Sequence, residues 1–298
     1  DQSYVLYGLH RGVLPHLLGQ AKVMLPTGVR VLEMDYNDSW VRDCGPTFVT
    51  NGKDLRAVDW IFNAWGGLEG GLYAPWDKDD QVAARVAEIE GVDRYRAPLV
   101  LEGGSIHVDG QGTLLTTREC LLNPNRNAAL SQAQIEAHLG AYLGVEQIIW
   151  LNRGIYNDET SGHVDNIACF LRPGEMALAW TDDRSDPQYE ISAENYEILC
   201  SAVDARGRRL KVHKLPLPRP VTITREESKG VLPVMGTSPR KAGDRPQPPE
   251  PALEGGFADP ALGQQFLQRA GLALGCLAAV EMADADEEGV ELVVEGNV

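Results

Sequence analysis

Six carboxylates and one imidazole stand in three short polar segments of a sequence otherwise built from apolar runs. Asp38 and Asp43 lie in Asn37-Asp-Ser-Trp-Val-Arg-Asp43, and Glu102 opens Glu102-Gly-Gly-Ser105. Asp158, Glu159, His163 and Asp165 fall within Asn157-Asp-Glu-Thr-Ser-Gly-His-Val-Asp-Asn166. Each segment follows a run that reads as a strand: Val31 to Met34, Leu99 to Leu101 and Ile148 to Leu151. Loops leaving equivalent strand ends open on one rim of a repeat architecture, so the three should meet. Several carboxylates around one imidazole make a cation trap in which His163 could carry protons.

His163 and Asp165 are spaced i, i+2, which on a strand points both at one ligand. His107 and Asp109 share that spacing and read as a polar pair at a hairpin entry. A metal reading would instead use His107, His163 and nearby carboxylates as ligands, although no HxxxH pair supplies two imidazoles locally. Two readings of Trp40 stay open, a core anchor for its loop or an aromatic wall against a cation. Asp43 and Glu102 could likewise cap loop backbone rather than hold a ligand, and Arg42 could pair with neighbouring acids. Gly103 and Gly104 would let backbone approach a ligand closely.

The elements that position these loops repeat as hairpin, helix and strand. In the first unit, Pro46 to Trp60 turns at Asn51-Gly52, a helix begins at Asp77 with Val82, Val86 and Ile89 on one face, and Ala97 to Leu101 is the strand. The second has a hairpin over Ile106 to Thr117, a helix capped by Ser131 with Gln134 reaching back, and the strand Gln147 to Leu151. In the third, Ile167 to Trp180 turns at Pro173-Gly174, a helix runs from Ser192 towards Gly207 with Ile198, Leu199, Ala202 and Val203 inward, and Leu210 to Leu215 closes the unit. Such a unit cannot bury its own apolar face, so several must pack side by side.

Beyond Pro216 the pattern decays. Val221 to Thr224 and Val231 to Met235 could form a further hairpin, but residues 231–260 hold 7 Pro and 4 Gly and read as irregular. Asp259 and Pro260 then begin a helix, and 261–298 reads as a degenerate terminal module, all within one α/β domain spanning 1–298.

Charge and composition exclude several classes. With 27 Lys and Arg against 43 Asp and Glu, the net charge of −16 leaves no basic face for nucleic acid and favours a cationic ligand. The longest apolar run, Gly271 to Val280, is about half of the ~20 residues a membrane-spanning helix needs, so no membrane role is expected. Five widely spaced cysteines without a CxxC pair suit a reducing, cytoplasmic setting.

Five segments together strongly resemble the agmatine deiminases: Asn37 to Pro46, Phe62-Asn-Ala-Trp-Gly-Gly67, Leu101 to Gly110, Leu122-Asn-Pro-Asn-Arg-Asn127 and Asp158 to Asn166. Ala179 to Asp183, Asp186 to Tyr189 and Val212 to Pro218 look alike too, so the likeness runs from about Val29 to Glu227. The resemblance implies the guanidino-group-modifying fold, a five-bladed α/β propeller (pentein) of pseudo-symmetric modules. It implies hydrolysis of agmatine to N-carbamoylputrescine and ammonia, a step of putrescine and polyamine synthesis, without metal or cofactor. Peptidyl arginine is an alternative substrate, and compatibility with a homo-oligomer is left open. In such enzymes a Cys thiolate attacks the guanidinium carbon while a His shuttles protons. Carried onto matching positions, His163 is the acid/base, Glu102 its partner, Asp43 and Asp165 grip the guanidinium, and Trp40 and Glu159 line the pocket.

One feature departs from the family. Its nucleophile follows Gly-Gly-Gly-Asn-Ile-His-Cys near the C-terminus, and none of Cys44, Cys120, Cys169, Cys200 or Cys276 matches that segment. Val290 to Val298 is similar to the strand leading into it, so the resemblance implies that the His and Cys would come next. The opening segment looks short in the same way. The expectation for the chain as written is therefore binding without enzymic turnover, and a non-catalytic guanidine or polyamine binder is the rival reading.

Overall fold

Apolar alternation becomes strand, and the turn residues between the runs become the connections. The computed structural model describes residues 4–7, 30–38 and 40–218. It opens with β1 (Tyr4–Tyr7) and β2 (Arg30–Glu33), paired in parallel. Three sheets of identical topology follow. β3 (Thr47–Thr50) pairs antiparallel with β4 (Leu55–Ile61), which pairs in parallel with β5 (Asp93–Val100). β6 (Ile106–Val108), β7 (Thr113–Thr117) and β8 (Gln147–Leu151) repeat that order. So do β9 (Ala168–Arg172), β10 (Glu175–Trp180) and β11 (Lys211–Pro216). The parallel step in each sheet is spanned by a helix: α1 (Val82–Glu90), α2 (Gln132–Leu143) and α3 (Gln188–Ser201). Three modules of the expected α/β repeat thus lie within the described residues.

Neighbouring modules share their cores, as a repeat requires. Trp60 and Leu99 of the first pack with Ile106, Leu114, Ile135 and Leu139 of the second. Leu115 and Leu151 of the second pack with Phe170, Leu178 and Leu199 of the third. The predicted capping box forms at α2, where Ser131 accepts from the Gln134 backbone and Gln134 reaches back, and Gly144 ends the helix at φ 67°.

Several boundaries differ from the sequence reading. Asp77 does not begin a helix; a 3₁₀ turn (Asp79–Gln81) leads into α1. The Asp79 carboxylate is instead consumed by the backbone N–H groups of Asn37 and Asp38 and by the Tyr73 hydroxyl, which ties the first polar loop down. β5 starts at Asp93 rather than Ala97, because Arg94 and Arg96 reach the buried Asp59 and hide a strand under charged residues. α3 starts at Gln188, and Ser192 is not its cap but a buried interior residue accepting from Gln188 Nε2 at 3.1 Å. It ends at Ser201, so Val203 is 41% exposed in an isolated bridge with Arg209 instead of facing inward. The closing strand runs Lys211–Pro216, one residue later than expected.

The further hairpin after Pro218, the Pro- and Gly-rich 231–260, the helix from Asp259, the terminal module 261–298 and Cys276 lie outside the described residues. Among the described residues no helix is long and apolar enough to cross a membrane. Cys44, Cys120, Cys169 and Cys200 are free thiols.

Candidate functional site

Three chain segments bring their carboxylates to one buried imidazole. The first is the helical turn Val41–Cys44, which holds Asp43; the second is the 3₁₀ turn Gly103–Ser105, preceded by Glu102; the third is the 3₁₀ turn Val164–Asn166, preceded by His163. His163 and Asp165 therefore converge through a tight turn, not through strand alternation as the i, i+2 spacing predicts. His163 Nδ1 stands 4.0 Å from Asp43 Oδ1 and 4.0 Å from Asp165 Oδ1, while Nε2 is 3.6 Å from Glu102 Oε2. Of the residues singled out in the sequence, Asp43, Glu102, His163 and Asp165 thus share one site.

Each group is held from behind. Asp43 Oδ1 accepts the Gly104 N–H at 2.8 Å, and Oδ2 accepts the Trp65 indole N–H at 3.0 Å. Asp165 Oδ2 takes Arg42 Nε at 3.0 Å, the pairing anticipated for Arg42, while its buried Oδ1 has no hydrogen-bond partner. Arg126 clamps the site from below. It donates to Glu102 Oε1 at 2.6 Å, to the Trp65 carbonyl at 2.5 Å, to Asn125 Oδ1 at 2.8 Å and to the Thr160 carbonyl at 2.9 Å, tying three loops together. Ala64 and Trp65, at φ 53° and 63°, occupy the left-handed region that side chains disfavour; that conformation accompanies the presentation of the Trp65 indole and carbonyl to Asp43 and Arg126.

Gly104 allows the closeness of the whole arrangement. A Cβ there would lie 2.5 Å from His163 Nδ1 and 2.8 Å from both Asp165 Oδ2 and Asp43 Oδ1. Any side chain would occupy the space the three groups share.

Burial and charge set the protonation states. Burial pushes the His163 pKa down, but the Asp43 carboxylate, with Cys120 and Glu102 beside it, outweighs burial and holds it well above the ordinary value. Burial would raise Glu102, yet the Arg126 charge, helped by His163, keeps it below the usual carboxylate range. Asp165 is raised to about 6 by burial, against the pull of His163 and Arg42.

The other candidates stand differently. Asp158 accepts from Thr160 Oγ1 and from the backbone N–H groups of Gly162 and His163, so its carboxylate shapes the loop that carries His163. Asp38 takes the Trp40 indole N–H at 2.9 Å, and Trp40 packs edge-on to Trp65 at 6.1 Å, as an anchor of its loop would. Glu159 is half-buried in the turn before Thr160. His107 does not pair with His163 around an ion: its Nδ1 accepts the Phe170 N–H at 3.3 Å. Asp109 closes the hairpin turn through the N–H groups of Gln111 and Thr113. Instead, among the described residues, Glu102, Cys120 and His163 offer ligating atoms within 4.8 Å of one another.

Sequence reasoning assigned no site role to Trp65, Arg126 and Cys120. A lone Arg between Pro124 and Asn127, in a chain whose clustered loops are acidic, was the available signal for Arg126. Among the described cysteines, burial raises Cys44 and Cys120 and lifts Cys169 to about 11, so none of these three is held as a ready thiolate, and Cys200 is exposed.

The family model described as Porphyromonas-type peptidyl-arginine deiminase matches residues 13–234. Proteins named "Putative agmatine deiminase" in Latilactobacillus sakei and Yersinia pestis are 63% and 57% identical over 236 and 235 residues. Each match covers 78% of this chain, and 65% and 64% of those relatives. The chain thus spans less than two thirds of their length. Among solved structures, an agmatine deiminase of Enterococcus faecalis superimposes with a TM-score of 0.71 at 50% identity, over 80% of this chain and 64% of that one. A C. jejuni agmatine deiminase gives 0.60 at 26% identity, over 76% and 62%.

Proposed function

We propose, for a chain that belongs to the Porphyromonas-type peptidyl-arginine deiminase family, that it holds the planar guanidinium of agmatine for hydrolysis to N-carbamoylputrescine and ammonia. The observation that carries this reading is the convergence of Asp43 and Asp165 on one nitrogen of a buried histidine, with Asp165 Oδ1 left without a partner. A guanidinium between the two carboxylates would supply the missing donors through charge-assisted hydrogen bonds.

His163, raised by Asp43, carries a proton at neutral pH and is the acid. A thiolate adds to the guanidinium carbon, and the departing nitrogen takes the His163 proton to leave as ammonia. The now neutral imidazole removes a proton from water, whose oxygen attacks the same carbon; the adduct expels the thiolate as its remaining hydroxyl proton passes to solvent, leaving the urea group. Glu102, clamped by Arg126, steadies the imidazolium and fixes its orientation. The attacking thiol is not assigned among the described cysteines. Trp40 and Glu159 are placed in this reading as pocket walls for the alkylamine part, and the protein as a cytoplasmic enzyme.

Calorimetric titration with agmatine, beside an ammonia-release assay, tests the reading. Agmatine should bind, and Asp165→Asn should weaken binding roughly tenfold to a hundredfold, from loss of a charged hydrogen bond worth about 1.5 to 3 kcal/mol. Equal affinity in Asp165→Asn would sink the assignment. Preference for an arginine-containing peptide over agmatine would move the substrate class, and binding without ammonia release would favour a guanidine binder.

A further inference from the structure

We propose that Glu102, Cys120 and His163 form a buried site for a zinc-type divalent cation. The three arrive from separate segments: the end of β5, the helical turn Arg118–Leu121 after β7, and the loop after β8. One ligating atom of each lies within 4.8 Å of the others, and His163 Nε2 and Glu102 Oε2 already face each other at 3.6 Å. Ligand atoms around tetrahedral zinc, bound at about 2.0 to 2.3 Å, sit roughly 3.3 to 3.8 Å apart, so modest side-chain contraction supplies three of its four positions and leaves the fourth for a water. Nε2 and Oε2 are both buried and face each other at 3.6 Å, with the Cys120 thiol beside them, so a cation would replace the proton that this pair now shares.

The surroundings fit a ligand shell. Arg126 holds the other oxygen of Glu102 at 2.6 Å, which leaves Oε2 as a single fixed donor. The Cys120 N–H is anchored on Thr117 Oγ1 at 3.1 Å, fixing the backbone from which the thiol projects. The opposite nitrogen of His163 faces the Asp43 and Asp165 carboxylates, the outer arrangement that orients metal-bound imidazoles. One sulfur, one imidazole and one carboxylate suit zinc or cobalt and not magnesium or calcium. Binding releases the thiol proton and the Nε2 proton to water. Because the ligands are enclosed, the ion enters through local opening and binds slowly. On the reading that His163 shuttles protons, the ion would seize that nitrogen and act as a reversible inhibitor, not a cofactor.

Cobalt(II) added to the purified metal-free chain reads the site directly. One ion per chain should give a near-ultraviolet thiolate-to-cobalt band that disappears in Cys120→Ala and persists in the Cys44→Ala, Cys169→Ala, Cys200→Ala and Cys276→Ala variants. No band in the unaltered chain, or an undiminished band in Cys120→Ala, overturns the proposal. If Cys120→Ala does not fold, zinc K-edge absorption of the unaltered chain decides. One sulfur with imidazole and oxygen neighbours supports the site, and a shell without sulfur rejects it. Cobalt bound at Cys120 while agmatine turnover continues unchanged would leave the metal site standing and remove His163 from proton transfer.

Discussion

At the scale of single residues, the site is limited by space as much as by charge. Gly104→Ala would put a methyl 2.5 Å from His163 Nδ1, so the imidazole or the two aspartates must move. Displacement of a reacting group by about 1 Å can cost on the order of a hundredfold. Agmatine affinity of Gly104→Ala, read by calorimetry, should fall roughly tenfold to a hundredfold as the carboxylate contacts are lost, and parent-like affinity would show that the cluster is looser than the distances imply. Asp165 adds a pH dependence. Burial raises its pKa to about 6, so it is neutral below that pH and charged above it. Agmatine affinity should therefore weaken roughly tenfold from pH 7 to pH 5, following one proton, and calorimetry of Asp165→Asn should show that step flattened. Asp43, Glu102, His163 and Asp165 were legible in the sequence because acids and a His crowd into loops after apolar runs. Trp65 and Cys120 were not, since a Trp and a Cys inside apolar surroundings look like core, and their contacts to Asp43 and His163 arise only from folding.

At the scale of elements, the hairpins and α2 were readable from alternation, turn residues and the Ser131 capping box, all local signals. The errors came where a polar side chain did something nonlocal. Asp79, Arg96 and Ser192 each serve another segment or the core, which moved the starts of α1, β5 and α3 from their expected positions. Arg126 shows the energetic weight of such a tie. Its guanidinium and Glu102 are both fully enclosed, and removing one member of a buried pair leaves an uncompensated charge, typically costing about 3 to 5 kcal/mol. Arg126→Met should lose stability of that order in urea unfolding. Double replacement with Glu102→Gln should recover part of it, because the stranded carboxylate is gone. A single variant within about 0.5 kcal/mol of the parent would mean that Arg126 does not organise the three loops.

Across the whole molecule, module must grip module, since no unit of this size buries its own face. The repeat itself was visible in the sequence, but the polar links between units were not, because they join residues far apart in the chain. His107 is one such link, its Nδ1 on β6 accepting the Phe170 N–H from β9 with the rings tilted at 5.9 Å. Enclosure lowers its pKa to about 4, and the Arg42 charge pushes the same way. A depressed value means that the unfolded chain takes up this proton first, at about pH 6.5. The stability His107 contributes is thus complete above about pH 6.5 and declines as pH falls towards 4, where the folded protein binds the proton too. The slope reaches at most about 1.4 kcal/mol per pH unit for one proton, and residual exposure of the ring brings it below that ceiling. Urea unfolding across pH 7 to 4 should show this decline on top of the carboxylate contribution. His107→Asn, which keeps an acceptor for the Phe170 N–H but cannot titrate, should show a shallower decline. Parallel curves for the two proteins would mean that His107 titrates alike in the folded and unfolded chain, so that the fold does not hold its ring neutral.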